Sequence, residues 1–171
     1  MQLRKVVIVA CAITLIAIPA LAQQQRGDIE LGLQGFVLTT VGMGVSATVG
    51  TVQGKLGFFF TDNFEFGVTP SMTIVTVKGE TDVDGGGGAF LTYSVLLKNA
   101  RAVPYFGAQY YKSSFSTDFD VDPGSVGVNA GVKFFFTRKA AFDVNANYLF
   151  SLAKNAEGGM LLFAFGISFL V

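Results

Sequence analysis

The chain has 171 residues, of which 51% are hydrophobic and only 14% are charged, with 12 basic and 12 acidic side chains. Soluble globular proteins carry roughly 25% charged residues, so this composition is typical of a protein whose surface faces something other than water. The balanced charge argues against nucleic acid as a partner. The absence of histidine excludes Ser-His-Asp and Cys-His catalytic sites and histidine-based metal sites.

The first 22 residues predict a secretory signal peptide. Its three parts are a basic start (Arg4, Lys5), an apolar stretch (Val6 to Ile18) and small residues at a cleavage site (Ala20 to Ala22). We therefore expect cleavage after Ala22 and a mature domain at 23–171. The single cysteine, Cys11, would be removed, so the mature domain would hold no disulfide and no thiol.

Beyond residue 22 the apolar residues recur with period two, which predicts β-strands. The first four predicted strands run at about Asp28–Leu38, Gly50–Phe60, Phe64–Thr76 and Ala89–Leu97. Strand two is the clearest, since its even-numbered residues are almost all apolar. Strand one is the least regular, because its alternation is lost near Gly35.

Four more strands complete the chain. They are predicted at about Val103–Lys112, Ser125–Phe136, Phe142–Phe150 and Leu161–Val171. Short connections are expected at 61–63, 98–102 and 137–140. Longer loops are expected at about 39–49, 77–88, 113–124 and 152–159. Short turns at one end and long loops at the other are typical of an eight-stranded antiparallel up-and-down transmembrane β-barrel.

The polarity of the two strand faces favours a membrane barrel over a lipocalin-like soluble barrel. A soluble barrel directs apolar side chains inward, whereas a membrane barrel directs them toward lipid. One face of the clear strands has no charge, and a narrow eight-stranded interior could not hold its many phenylalanines. The other face predicts a polar lumen network that plugs the barrel, formed by Gln53, Lys55, Glu65, Asn129, Lys133, Asp143, Asn145 and Asn147.

Phenylalanines concentrate at strand ends beside the short turns. In membrane barrels, aromatic side chains at this depth form a girdle at the membrane–water boundary. The predicted girdle consists of Phe58, Phe60, Phe64, Phe66, Phe134, Phe136 and Phe142.

With these motifs placed, the mature chain resembles the small eight-stranded outer-membrane barrels of Gram-negative bacteria. Relatives include the membrane domain of outer-membrane protein A, outer-membrane protein X and the opacity-type porin-like proteins. The resemblance rests on Gly57–Gly67 (GFFFTDNFEFG), Val103–Ala108 (VPYFGA) and the C-terminus. Gly166, Phe169 and Val171 are similar to the family's C-terminal assembly signal, with Val171 in place of the usual terminal aromatic. The resemblance implies recognition by the barrel-assembly machinery.

Two acidic segments in the predicted long loops place carboxylates at alternate positions, and hard cations such as Ca²⁺ accept such oxygen ligands. The candidate ligands are Asp82 and Asp84 in the first segment and Asp118, Asp120 and Asp122 in the second. Neither segment completes an EF-hand, so solvated loops are the favoured interpretation, with no metal and no cofactor.

The sequence therefore predicts a non-enzymatic, integral outer-membrane barrel with both termini in the periplasm. Its expected role is structural or surface interaction through four external loops. Expected partners are outer-membrane lipid and lipopolysaccharide, with no nucleic acid, and the protein is expected to be a monomer. Two alternatives stay open: a small pore for ions or small solutes, and a soluble periplasmic lipid carrier.

Overall fold

Eight long strands follow from the period-two pattern. The computed structural model describes residues 24–42, 45–97, 100–112, 114–115, 123–153 and 158–171, and only the backbone within 38–47. The strands are β1 (Ile29–Gly42), β2 (Val45–Phe59), β3 (Phe64–Val77), β4 (Glu80–Ser94), β5 (Ala102–Lys112), β6 (Ser125–Phe135), β7 (Ala140–Ser151) and β8 (Gly159–Leu170). The signal peptide predicted at 1–22 lies outside the described residues.

Each strand pairs antiparallel with its neighbours in the chain, and β1 pairs with β8 to close an eight-stranded barrel. The predicted fold class is thus confirmed. Residues 24–28 and Val171 lie at one end, here called the terminal end, together with the turns at 60–63 and 136–139. The opposite end is called the far end. Along the described ranges no helix is long and apolar enough to cross a membrane.

The side chains alternate between the outer wall and the lumen as predicted for a membrane barrel. Large apolar residues such as Phe66, Val128 and Phe163 are about half exposed on the outer wall. Glu65 and Lys133, in contrast, are fully buried inside. A soluble barrel would show the opposite arrangement.

All seven predicted girdle phenylalanines lie exposed on the outer wall near the terminal end. Several form a ring contact network, with Phe60 and Phe64 stacked at 5.6 Å and Phe58 and Phe66 edge-on at 5.8 Å. Tyr93 extends this network, since its ring centroid lies 4.9 Å from that of Phe64.

The predicted alternation of short turns and long loops is wrong at two places. β3 and β4 pair continuously up to Val77↔Glu80, so the expected loop at 77–88 is a long hairpin instead. Its two-residue turn has positive φ at Lys78 (52°) and Gly79 (89°), the backbone of the type I′ turn that suits twisted hairpins. Likewise, β1 and β2 occupy 39–42 and 45–49 of the first expected loop.

The fourth connection also differs from prediction. β4 ends at Ser94 rather than Leu97, so 95–101 joins it to β5. The apparent loss of alternation at Gly35 does not reflect a break in the strand, because the register of β1 with β2 is unbroken from Ile29↔Phe58 to Gly42↔Val45. The inner face itself turns apolar at Phe36, which lines the lumen.

Candidate functional site

The lumen near the terminal end is closed by four buried charged side chains from four strands. Lys55 Nζ lies 3.0 Å from Glu30 Oε1 and 3.1 Å from Glu65 Oε2. Lys133 Nζ lies 3.2 Å from Glu65 Oε2 and forms a short ion pair with Glu30 Oε2. Each cation therefore bridges both anions, and we call these four residues the ionic cluster.

Aromatic rings enclose the ionic cluster. The ammonium of Lys55 lies 4.8 Å from the ring centroid of Phe90, and that of Lys133 lies 5.3 Å from the ring of Phe59. Tyr105 lies within 6 Å of both ammonium groups and donates a 2.8 Å hydrogen bond to Asp143 Oδ1. Cation–π contacts of this kind strengthen as water is excluded.

Two glycines make room for these side chains. A Cβ at Gly57 would lie 2.8 Å from the carboxyl carbon of Glu65, and a Cβ at Gly131 would lie 2.7 Å from the ring of Tyr105. The space beside the ionic cluster is therefore already filled, and the absence of a side chain at these positions is what admits the Glu65 carboxylate and the Tyr105 ring.

Amides continue the polar network toward the far end. Asn147 donates to Asn145 Oδ1 at 2.6 Å, Asn145 donates to Gln34 Oε1 at 2.9 Å, and Gln34 donates to Gln53 Oε1 at 3.3 Å. Asn129 lies apart from this chain of amides, with its donor 3.5 Å from Gln109 Oε1. The amide layer thus spans the lumen between the ionic cluster and the far half.

An apolar layer closes the lumen at the terminal end, below the ionic cluster. It consists of Phe59, Val103, Phe135, Ala141 and Leu170, all buried. Gln24, also buried, donates to the carbonyl of Asp62, which holds the N-terminal segment against the β2–β3 turn. The expectation that inward positions are polar is therefore incomplete, because these inward residues are apolar.

The far half of the lumen is open. It contains a cavity of about 260 Å³. Its lining residues include Thr51, Gln53, Thr73, Gln109, Tyr111 and Asn147 on polar parts of the wall, and Phe36, Val49, Leu149, Met160, Leu162 and Ala164 on an apolar part.

The structure brings together Lys55, Glu65 and Lys133, three of the predicted network residues, in the ionic cluster. Sequence reasoning missed Glu30 and Tyr105. Glu30 could have been found, since it alternates with the apolar residues Ile29 and Leu31 on β1. Tyr105 carries no such signal, because a tyrosine is compatible with either face of a strand.

The first acidic segment is not a loop. Asp82 and Asp84 lie on β4, paired with Val75 and Thr73 of β3. No group of three or more potential metal ligands occurs in the part of the chain that the structure describes. The second candidate set, Asp118, Asp120 and Asp122, lies outside the described residues.

Comparison with known proteins agrees with this architecture. The family model described as "Outer membrane protein beta-barrel domain" matches residues 8–169. The chain belongs to this outer-membrane β-barrel family. It is therefore an integral protein of the bacterial outer membrane, and the soluble lipid-carrier alternative is not favoured.

Two solved structures have the same fold as this outer-membrane barrel. The N-terminal β-barrel domain of Pseudomonas aeruginosa OprF is 18% identical, with a TM-score of 0.54 over 86% of this chain and 100% of that chain. The outer membrane protein OprG of the same organism is 14% identical, with a TM-score of 0.51 over 88% of this chain and 99% of that chain. A search of curated proteins found no match.

Proposed function

We propose that this outer-membrane barrel is a non-enzymatic structural or surface-interaction protein whose lumen is closed to solutes. The observation that carries the proposal is the ionic cluster, in which two lysines and two glutamates bridge one another across the lumen. The apolar layer beneath it supports the same conclusion.

Closure follows from the size of the barrel and the cost of opening it. Eight strands leave an interior just wide enough for side chains. A solute would have to separate charges whose side chains are at most 9% exposed. Leaving one buried charge without its partner costs about 3–5 kcal/mol, so spontaneous opening of the layer would be rare.

The proposed orientation places the terminal end in the periplasm. This end carries the girdle phenylalanines and the turns at 60–63 and 136–139, whereas 113–124 and 152–158 connect strands at the far end. Proposed partners are outer-membrane lipid, lipopolysaccharide and, during biogenesis, the barrel-assembly machinery that reads Gly166, Phe169 and Val171. Phe169 and Val171 are exposed in the folded barrel.

Single-channel recording in planar bilayers tests the closed lumen. We expect no stepwise conductance from the native protein. We expect conductance steps only from a variant that opens both layers, provided that it still folds. Such a variant replaces the four residues of the ionic cluster by alanine, neutralises the buried Asp143 that faces the two lysines (Asp143→Asn), and truncates the apolar layer (Phe59→Ala, Phe135→Ala). Stable steps from the native protein would instead support the small-pore alternative, which the cavity in the far half favours.

Cell fractionation followed by gel electrophoresis with and without boiling tests orientation and integration. We expect a heat-shifted band in the outer-membrane fraction. Protease added to intact cells should cleave at the far-end connections and leave the turn at 136–139 intact. Cleavage at that turn in intact cells would reverse the proposed orientation.

A further inference from the structure

The barrel wall is incomplete between β1 and β8. Among the described residues, pairing between these strands runs from Glu30↔Leu170 to Gly35↔Phe165 and stops there. Both strands continue beyond this point, because β1 stays paired with β2 as far as Gly42 and β8 stays paired with β7 as far as Gly159. We call the interval between 36–42 of β1 and 159–164 of β8 the seam.

Exposure of the flanking side chains agrees with a gap at the seam. Val37, on the outer wall of β1, is 75% exposed, and Met160 is 52% exposed although it lines the lumen cavity. An inward side chain in a closed wall would be screened by the neighbouring strand. Together with the end of the pairing at Gly35↔Phe165, the exposure of Met160 indicates that the seam is an opening between the lumen and the outside.

The lumen cavity is apolar behind the seam and polar on the wall away from it. Phe36 of β1 and Met160, Leu162 and Ala164 of β8 line the cavity directly behind the seam, with Leu149 of the adjacent β7. This is opposite to the pattern at the terminal end, where the inward residues of the same two strands include Glu30 and Ser168. Apolar side chains beside an opening are the lining that an apolar ligand requires.

The seam begins within the membrane. A strand crosses the hydrocarbon layer with about 9–11 residues, so a crossing that starts at Ile29 ends near residues 37–39, beyond the start of the seam at residue 36. The outer-wall residues on both sides are apolar and exposed, namely Val37, Leu161 and Phe163. The cavity is thus continuous with the lipid-facing surface of the barrel.

From this continuity we propose that the far half of the lumen is a binding site for a single acyl chain, which enters sideways from the outer leaflet through the seam. The chain lies against Phe36, Leu149 and Leu162. An apolar cavity of about 150 Å³ is already enough to hold benzene, and this one measures about 260 Å³. The amide layer at Gln53 and Asn147 ends the site toward the ionic cluster, so the ligand does not pass through the barrel.

An open seam leaves backbone groups without strand partners, which is strongly unfavourable in hydrocarbon unless these groups line a cavity that water reaches. Here they border the lumen cavity. The cavity also has polar side chains, such as Gln109 and Tyr111, on the wall away from the seam. The polar wall is suited to contact with water, and the apolar wall beside the seam is suited to contact with an acyl chain.

Tryptophan fluorescence can test the site, because the chain contains no tryptophan. Leu162→Trp places a reporter inside the cavity, and Phe163→Trp is the matched control on the outer wall of the same strand. Both variants are refolded as full mature chains into phosphatidylcholine vesicles with brominated acyl chains. Heat-dependent gel mobility verifies folding, and Met160→Trp replaces Leu162→Trp if the latter does not fold.

We expect brominated lipid to quench the Leu162→Trp reporter to an extent comparable with the Phe163→Trp control. Quenching of Leu162→Trp by aqueous acrylamide but not by brominated lipid would overturn the proposal, since the lumen would then hold only water. A second copy of the chain, paired with the strands at the seam, is the other occupant to exclude. The proposal would also be overturned if the protein formed a dimer in detergent and brominated lipid quenched position 162 only after that dimer had been dissociated.

A disulfide lock tests the route. Val37→Cys and Phe163→Cys occupy positions that would face each other if the register of β1 and β8 continued. Oxidation of this pair in the Leu162→Trp background should strongly reduce quenching by brominated lipid, and reduction of the disulfide should restore it. Quenching that survives complete oxidation would show that lipid reaches the cavity by a route other than the seam.

Discussion

The two halves of this barrel are built from the same strands but are stabilised differently. In the terminal half, β1 and β8 are paired and the lumen is filled by the apolar layer and the ionic cluster. In the far half, the same two strands are not paired with each other in the described region, and the lumen contains a cavity. Stability is therefore concentrated in the terminal half, and the far half is left free for binding.

The largest effect is expected from breaking the ionic cluster. Lys133→Met leaves Glu30 and Glu65 with one shared lysine in a buried site, which should lower the free energy of unfolding by about 3–5 kcal/mol. Urea-induced unfolding in vesicles, followed by gel mobility, measures this change. The matched control is Lys139→Met, since Lys139 is exposed on a turn at the same end. Equal loss in both variants would contradict a specific role for the cluster.

A rescue sharpens this prediction. Adding Glu30→Gln to Lys133→Met removes the excess buried negative charge and should recover part of the lost stability, because charge balance inside the lumen is restored. Strictly additive losses in the double variant would show that Glu30 and Lys133 do not interact as the structure indicates.

The fold and the charged residues of the lumen were predictable, because they depend on the period-two alternation of side chains along the strands and on which strand face carries the charges. Lys55, Glu65 and Lys133 lie on clearly alternating strands, so their shared lumen could be deduced. The lengths of the hairpins at the far end could not be predicted in this way. Glycine and aspartate are on average depleted from strands. Gly85–Gly88 and the preceding Asp82 and Asp84 nevertheless pair with β3, because backbone pairing in a barrel needs no particular side chain.

The seam and the apolar layer were also beyond sequence reasoning. A phenylalanine such as Phe59 next to Phe58 and Phe60 is compatible with lipid or lumen, and only the closed register assigns it inward. The end of pairing at Gly35↔Phe165 is a property of three-dimensional closure. In the sequence it left only a change in polarity at Phe36, which resembled a loss of alternation.

The next effect concerns the hydrogen bond beside the ionic cluster. Tyr105→Phe removes the donor that serves the buried Asp143 carboxylate at 2.8 Å. Hydrogen bonds to charged groups contribute about 1.5–3 kcal/mol, so unfolding in urea should occur at a correspondingly lower concentration. Tyr148→Phe, on the outer wall, is the matched control and should change stability little. No change in the Tyr105 variant would mean that another group satisfies Asp143.

Adding a methyl group tests how tightly the terminal half of the lumen is filled. Gly57→Ala places a Cβ against the Glu65 carboxylate, and overpacking of this kind typically costs about 1–3 kcal/mol. Gly85→Ala on β4 meets no atom within 4 Å and should leave the unfolding free energy unchanged. The two urea transitions, measured side by side, give the contrast. Gly85 lies exposed on the outer wall opposite Met72, so its variant is a control for adding a methyl group to a strand glycine. If Gly85→Ala were as destabilising as Gly57→Ala, the loss at Gly57 would not come from packing against Glu65.

The smallest effect is expected inside the far cavity. The hydroxyls of Thr51 and Thr73 share a 3.2 Å hydrogen bond across β2 and β3. Replacing both partners by apolar groups of the same shape is nearly neutral, so the Thr51→Val, Thr73→Val double variant should retain native stability. Its enlarged apolar lining should, however, increase the quenching of Leu162→Trp by brominated lipid. The double variant thus changes the binding site of the far half without changing the stability of the barrel. Unchanged stability with decreased quenching would place the acyl chain away from this wall.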